Sequence, residues 1–197
     1  MTAPIVTMKK FDGLLPIRFD PKELEVNLGN GNFIFVGSGT DAWAFDVPSD
    51  WIAQVLDYCD KFDNNYLFQS KNPIRFLEFI GHPVMKKSVL CTTIETNVFY
   101  PDIVRNAPNT RKRAKAMQKL ASLGMRTYVT CEPLIKFDLP GMVELVRMCS
   151  PVQVNIGRNS RQDITLPEPT RNEVQALITE LQKFTRVLVK SNAKCWI

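Results

Sequence analysis

The feature that most constrains this chain is a repeated design: a short apolar run that turns polar only at its C-terminal end. Val89-Leu90-Cys91-Thr92-Thr93-Ile94-Glu95-Thr96-Asn97 is the fullest instance. Phe33-Ile34-Phe35-Val36 runs into Gly37-Ser38-Gly39-Thr40-Asp41, and Tyr66-Leu67-Phe68 runs into Gln69-Ser70-Lys71. Thr127-Tyr128-Val129 leads into Thr130-Cys131-Glu132-Pro133, and Val152-Gln153-Val154 into Asn155-Ile156-Gly157-Arg158. Short runs of β-branched and aromatic residues read as buried strands. Polarity confined to one end is expected of a parallel α/β sheet or barrel, where ligands sit beyond the carboxyl ends of the strands.

Helical periodicity fills the gaps. Ile52, Val55, Leu56 and Cys59 form one face behind a cap at Ser49 or Asp50. A helix over 73–80 opens on Pro73, a favoured first-turn position. A proline-bearing loop over 99–109 precedes a helix capped by Thr110, with Ala114, Met117, Leu120 and Ala121 inside and Gly124 as its stop. Helices over 140–149 and 170–184 follow, the second capped by Thr170, and 186–190 is a sixth strand. Every connection contains a helix, so neighbouring strands should be parallel. The expected fold is α/β: a six-stranded parallel (β/α) partial barrel, TIM-like, in one domain over 1–197 with an irregular segment at 1–31. An open doubly wound sheet is the alternative. The barrel is favoured because nearly every strand, not only those at a switch point, ends in polar residues.

Composition narrows the function classes. Hydrophobic content of 45% and charged content of 23% are ordinary globular values. No apolar run approaches the ~20 residues of a membrane helix. The first ten residues hold too short an apolar stretch for a signal peptide, so a soluble, cytoplasmic protein without membrane association is expected. The net charge of +5 permits anionic partners without requiring them. The five cysteines, Cys59, Cys91, Cys131, Cys149 and Cys195, lack metal-ligand spacing and read as reduced structural thiols. The single histidine, His82, precedes a proline at the wrong end of a strand for catalysis. No metal site and no Ser/His/Asp or Cys/His constellation can be assembled.

Glu95 and Glu132 are the candidate catalytic residues. They end consecutive strands about 4.8 Å apart, so their carboxylates could share a pocket. Such a pair can hold a cation, bind hydroxyls or amines, or move protons. Alternatively, each caps a helix or pairs with Lys71 or Arg158. Ser38, Asp41, Gln69, Lys71, Thr93, Asn97, Asn155 and Arg158 make up the candidate ligand-binding rim. The Gly37-Ser38-Gly39 turn resembles a dinucleotide-binding turn, but that turn must open directly into a helix. Here the helix starts only near Ser49, and no acid ends the second strand to hold a ribose. Arg111, Lys112, Arg113, Lys115 and Lys119 crowd the polar side of one helix. They form either a solvated face or an anion- and nucleic-acid-binding face, with weak, nonspecific binding expected because no aromatics interleave.

The ordered series Phe33–Asp41, Phe68-Gln69-Ser70-Lys71-Asn72-Pro73, Thr93-Ile94-Glu95-Thr96-Asn97 and Thr130-Cys131-Glu132-Pro133 resembles a phage-associated family of radical S-adenosylmethionine (radical SAM) type proteins of largely unassigned role. The resemblance spans about residues 8–190. It implies a six-stranded partial barrel and an S-adenosylmethionine pocket at the strand C-termini. It also implies a phage-encoded protein of the host cytoplasm, with a small molecule or a host protein as partner. The family carries a Cys-x3-Cys-x2-Cys motif for an iron–sulfur cluster just before a Met-Lys-Lys-Phe-like stretch. Met8-Lys9-Lys10-Phe11 is present, but Ala3 and Val6 fall at the last two cysteine positions and the first would precede Met1. Neither residue offers a thiolate, so no cluster is expected. The chain then reads as a cluster-less binding protein, as a truncated radical SAM enzyme with its cluster segment upstream, or as an enzyme using Glu95 and Glu132, perhaps with a divalent cation.

Overall fold

Each of the six apolar runs is a strand: β1 (Phe33–Val36), β2 (Asn65–Ser70), β3 (Ser88–Thr93), β4 (Arg126–Cys131), β5 (Gln153–Ile156) and β6 (Arg186–Val189). The structure is a computed structural model that describes residues 17–100, 107–160 and 165–197. All five pairings are parallel and the spatial order is the chain order. Every crossover therefore steps one strand over in the same direction. With right-handed crossovers, all helices then lie on one face of the sheet. A doubly wound sheet would reverse direction at a switch point. β1 and β6 remain edges, so the barrel is open, as the expected partial barrel requires.

Side-chain alternation divides the two faces. Ile34, Val36, Tyr66, Phe68, Leu90, Val129, Cys131, Val154, Ile156, Val187 and Val189 pack into one core with the helices. These are α1 (Ser49–Asp60), the four-residue α2 (Pro83–Lys86), α3 (Thr110–Ser122), α4 (Leu139–Met148) and α5 (Arg171–Gln182). Residues of opposite parity line the other face in register. Gln69, Cys91, Tyr128, Gln153 and Arg186 form one row, and Thr93, Thr130, Asn155 and Leu188 the next. That second row lies nearest the polar strand ends.

Three local expectations are corrected. The helix over 73–80 is instead a 3-10 helix, Pro73–Phe79, followed by the separate α2. Side chains of the 3-10 helix tie it to the preceding loop: Arg75 Nη1 donates to the Ala44 and Val47 carbonyls at 2.8 and 2.6 Å, and Phe76 packs edge-on against Trp43. Ser49 does not cap α1, because its hydroxyl accepts from Arg75 at 2.7 Å. Asn109, not Thr110, caps α3, its Oδ1 accepting from the Lys112 N–H at 2.9 Å. Thr170 caps α5 as expected, in a full capping box with Glu173. Within the expected irregular segment, Pro21–Glu25 is a 3-10 helix and residues 1–16 lie outside the described chain. Among the described residues, no helix is long and apolar enough to cross a membrane.

Candidate functional site

Parallel pairing brings the polar strand ends out on one side, and the first three build a cavity of about 280 Å³. Gly37, Ser38, Gly39, Thr40, Asp41, Gln69, Ser70, Lys71 and Thr93 line it. Gly37 has a positive φ of 72°, which turns the chain sharply out of β1. No helix opens at these glycines; α1 begins only at Ser49. Asp41 ties the loop down, its carboxylate accepting from the Trp43 N–H at 3.1 Å and from the Lys71 N–H at 2.9 Å. Five expected rim residues therefore gather here: Ser38, Asp41, Gln69, Lys71 and Thr93.

Glu95 lies just beyond β3 with a side chain only 3% exposed. Its Oε1 meets Lys71 Nζ at 2.6 Å and its Oε2 meets Arg113 Nη1 at 2.7 Å. Burial alone would raise its pKa. The charges of Arg113 and then Lys71 outweigh that and hold the carboxyl below its ordinary value. Glu95 is thus an ionised, doubly paired acid behind the cavity wall. Glu132, beyond β4, has other partners. Lys190 donates an ion-paired hydrogen bond to Oε2, and the Asn192 amide donates to Oε1 at 3.1 Å. The carboxylate lies over Gly157, where a Cβ would come within 2.6 Å of it. Its side chain is 22% exposed.

The remaining rim residues are engaged separately. The Asn97 side chain accepts from the Asp138 N–H at 2.9 Å, bracing the start of α4. Asn155 accepts from Gln153 at 2.9 Å. Arg158 pairs with Glu168 at 2.6 Å and sits over the Trp196 ring.

Arg113 is a correction. Expected on the charged surface of its helix, it is fully buried. Its Nε donates to the Pro108 carbonyl and its Nη1 to the Thr93 carbonyl, each at 2.6 Å. The reason is helical spacing: Arg113, Ala116, Met117 and Leu120 share one face, and all are buried. Arg111 turns away to Glu144 of α4 at 3.3 Å. Lys112, Lys115 and Lys119 line a second cavity. Sequence reasoning did not single out Lys190 and Asn192 as site residues, although Val187-Leu188-Val189-Lys190-Ser191-Asn192 repeats the apolar-then-polar design.

The thiols stay out of this chemistry. Burial pushes Cys59 and Cys149 up to about 12 and raises Cys91 and Cys131 as well, while Cys195 is exposed. Among the described residues, no three His, Cys, Asp or Glu side chains gather to hold a metal ion. Ala3 and Val6 lie outside the described residues.

No family model and no curated protein matches the chain. Solved structures that it is similar to include two of Streptococcus suis SuiB. The one bound to S-adenosylmethionine has 8% identity and a TM-score of 0.43, covering 87% of this chain and 53% of that one. The other has 10% identity and a TM-score of 0.40, covering 87% and 52%. The chain spans about half the length of these structures.

Proposed function

We propose that the chain binds a small molecule, S-adenosylmethionine-like or nucleotide-like, at the C-terminal mouth of the sheet. The observation that carries this reading is Glu132, a partly exposed carboxylate on the bare Cα of Gly157, oriented by Lys190 and Asn192. A carboxylate so held accepts from hydroxyls or an amine. Lys71, 45% exposed beside the cavity, offers an ammonium to a carboxylate or phosphate. S-adenosylmethionine carries hydroxyls, an amine and a carboxylate, and a nucleotide carries hydroxyls and phosphate, so the donor set fits either. Bound S-adenosylmethionine supplies an activated methyl group or, with a reduced cluster, a radical source. This chain's residues would hold and orient it: Glu132 at hydrogen-bond donors, Lys71 at an anionic end, and the Gly37–Asp41 loop as a wall.

The strand-end motifs support a phage-encoded relative of the radical SAM proteins in the host cytoplasm, and Ala3 and Val6 at the expected cysteine positions support one without a cluster. Anaerobic reconstitution with iron and sulfide should then give no stoichiometric cluster absorbance. The binding test is calorimetric titration with S-adenosylmethionine and with adenosine diphosphate. Glu132→Gln should abolish binding of whichever is bound. It should leave stability within about 1 kcal/mol, since its partner Lys190 is half exposed and such pairs contribute little. Retained affinity, or a loss of about 3–5 kcal/mol as for a buried structural pair, would sink the proposal.

A second reading, a host protein as partner, is favoured by one observation. Phe45 and Phe99, on the loops after β1 and β3, are 87% and 77% exposed. Aromatics presented on loops are frequent anchors in protein interfaces. An enzyme using Glu95 and Glu132 with a divalent cation would first have to displace Lys71, Arg113 and Lys190 from the two carboxylates.

A further inference from the structure

A second cavity, of about 350 Å³, opens on the helical side of the sheet. Asn72, Pro73 and Ile74 form one wall; Pro108, Lys112, Arg113, Lys115, Ala116 and Lys119 form the other. No acid lines it. Among the described residues, no acid forms an ion pair with Lys112, Lys115 or Lys119. Three ammonium groups at one cavity repel each other, and the N-terminal end of α3 adds its positive dipole.

Arg113 supplies the independent observation. Its side chain is wholly buried in the cavity wall, and Nη2 has no hydrogen-bond partner among the described residues. An orphaned buried donor on a charged group is costly and calls for an explanation. The charge is also incompletely matched. Glu95 offers one negative charge to two cations, Arg113 and Lys71.

We infer that this cavity is an anion site for a phosphate or diphosphate group of a small molecule, with Lys112, Lys115 and Lys119 around it and the Arg113 guanidinium, its Nη2 unpartnered, in its wall. Guanidinium and ammonium groups converging in a pocket suit a compact, multiply charged oxyanion. The volume suits a small ligand. A nucleic-acid strand fits less well. Arg111 is turned away to Glu144, and among the described residues no aromatic lines the cavity for bases to stack on. The site shares no lining residue with the cavity at the mouth, and the two are joined through the Lys71–Glu95–Arg113 chain.

The test is titration of the full chain with inorganic pyrophosphate at constant ionic strength, followed by calorimetry and by ¹⁵N NMR of the arginine side chains. Saturable binding is expected, with the Arg113 Nη signals shifting. Lys112→Gln/Lys115→Gln should weaken it at least about tenfold. Lys61→Gln/Lys183→Gln, with the same charge change elsewhere, should not. These variants leave the buried Arg113–Glu95 pair intact, so folding is preserved. Non-saturating binding, equal weakening in the control pair, or unmoved Arg113 signals would overturn the assignment. So would a single-stranded oligonucleotide that binds through Lys112 and Lys115 while pyrophosphate does not.

Discussion

The Arg113–Glu95 pair gives a prediction that can be worked through in energy. Both side chains are out of water, 0% and 3% exposed, and Nη1 lies 2.7 Å from Oε2. Glu95→Leu would strand a buried guanidinium, which costs about 3–5 kcal/mol. At roughly 2–4 °C per kcal/mol for a chain of this size, Tm should drop by about 6–20 °C. Arg113→Met leaves Glu95 with Lys71 alone and takes the donors from the Thr93 and Pro108 carbonyls. Each orphaned carbonyl costs about 1–3 kcal/mol. The double variant carries no stranded charge, only the two carbonyls, so it should lose about 2–6 kcal/mol, no more than Arg113→Met alone. The singles should therefore exceed the double by at least about 3 kcal/mol when summed, a coupling read from urea denaturation of all four proteins. The pH dependence is a second signature. Glu95 is held below the ordinary carboxylate value, so the folded state binds its proton less readily than the unfolded chain. Its stabilisation is complete above about pH 4.3 and is lost as pH falls through the lower folded value. Between about pH 5 and about pH 3, the native protein should lose stability more steeply than Glu95→Leu. Additive single variants, or a Glu95→Leu protein within about 1 kcal/mol of the native one, would refute a buried, coupled pair.

Three further outcomes are expected. Gly157→Ala would set a Cβ within 2.6 Å of the Glu132 carboxylate, so it should displace that group from Lys190 and Asn192. Stability should change by less than about 1 kcal/mol, because a flexible, partly exposed side chain yields; ligand affinity at the mouth should fall, measured by the same calorimetry. Glu173, whose carboxyl is lowered to about 2 chiefly by the Lys136 hydrogen bond and then by Thr170, should titrate higher in Lys136→Met but stay below its ordinary value, because the Thr170 bonds remain, followed by ¹³C NMR. Its folded pKa is depressed, so what it contributes is present above the ordinary carboxylate range and lost as pH falls through about 2. A thiol reagent should modify Cys195 alone in the native protein and all five cysteines in denaturant, because the other four are buried; rapid native reaction at a second thiol would contradict the packing.

The sheet was legible because its signal is local and repeated. An apolar run at strand length is visible residue by residue, and alternation with helices forces parallel pairing. What misled was also local. Pro73 marks a helix start, but the 3-10 turns after it are tied to the Ala44 and Val47 carbonyls by Arg75, partners some thirty residues away in sequence that no local pattern reveals. Ser49 has the chemistry of a cap, yet the same Arg75 takes its hydroxyl. Both stretches are tied to one buried arginine that joins a local pair with Glu78 to partners at Ala44, Val47 and Ser49.

The site was harder to read because charge in a sequence does not say which charges will meet. Glu95 and Glu132 end consecutive strands, and from spacing alone they look like a pair. Packing instead assigns each its own cations. α3 delivers Arg113 through the sheet-facing stripe to Glu95, and β6 delivers Lys190 to Glu132. Arg113 looked like one more member of a basic cluster, although its i+3, i+4 and i+7 neighbours Ala116, Met117 and Leu120 are all apolar. A lone charge on an apolar helical stripe has to find a counter-charge in the interior or drag water in with it. That pattern points inward to a carboxylate on a strand facing the helix, and Glu95, just beyond β3, is the acid it reaches. The consequence is that the two acids differ in kind. Glu95 sits in a buried network that stabilises the fold. Glu132, held over a glycine by Lys190 and Asn192, keeps part of its surface in solvent.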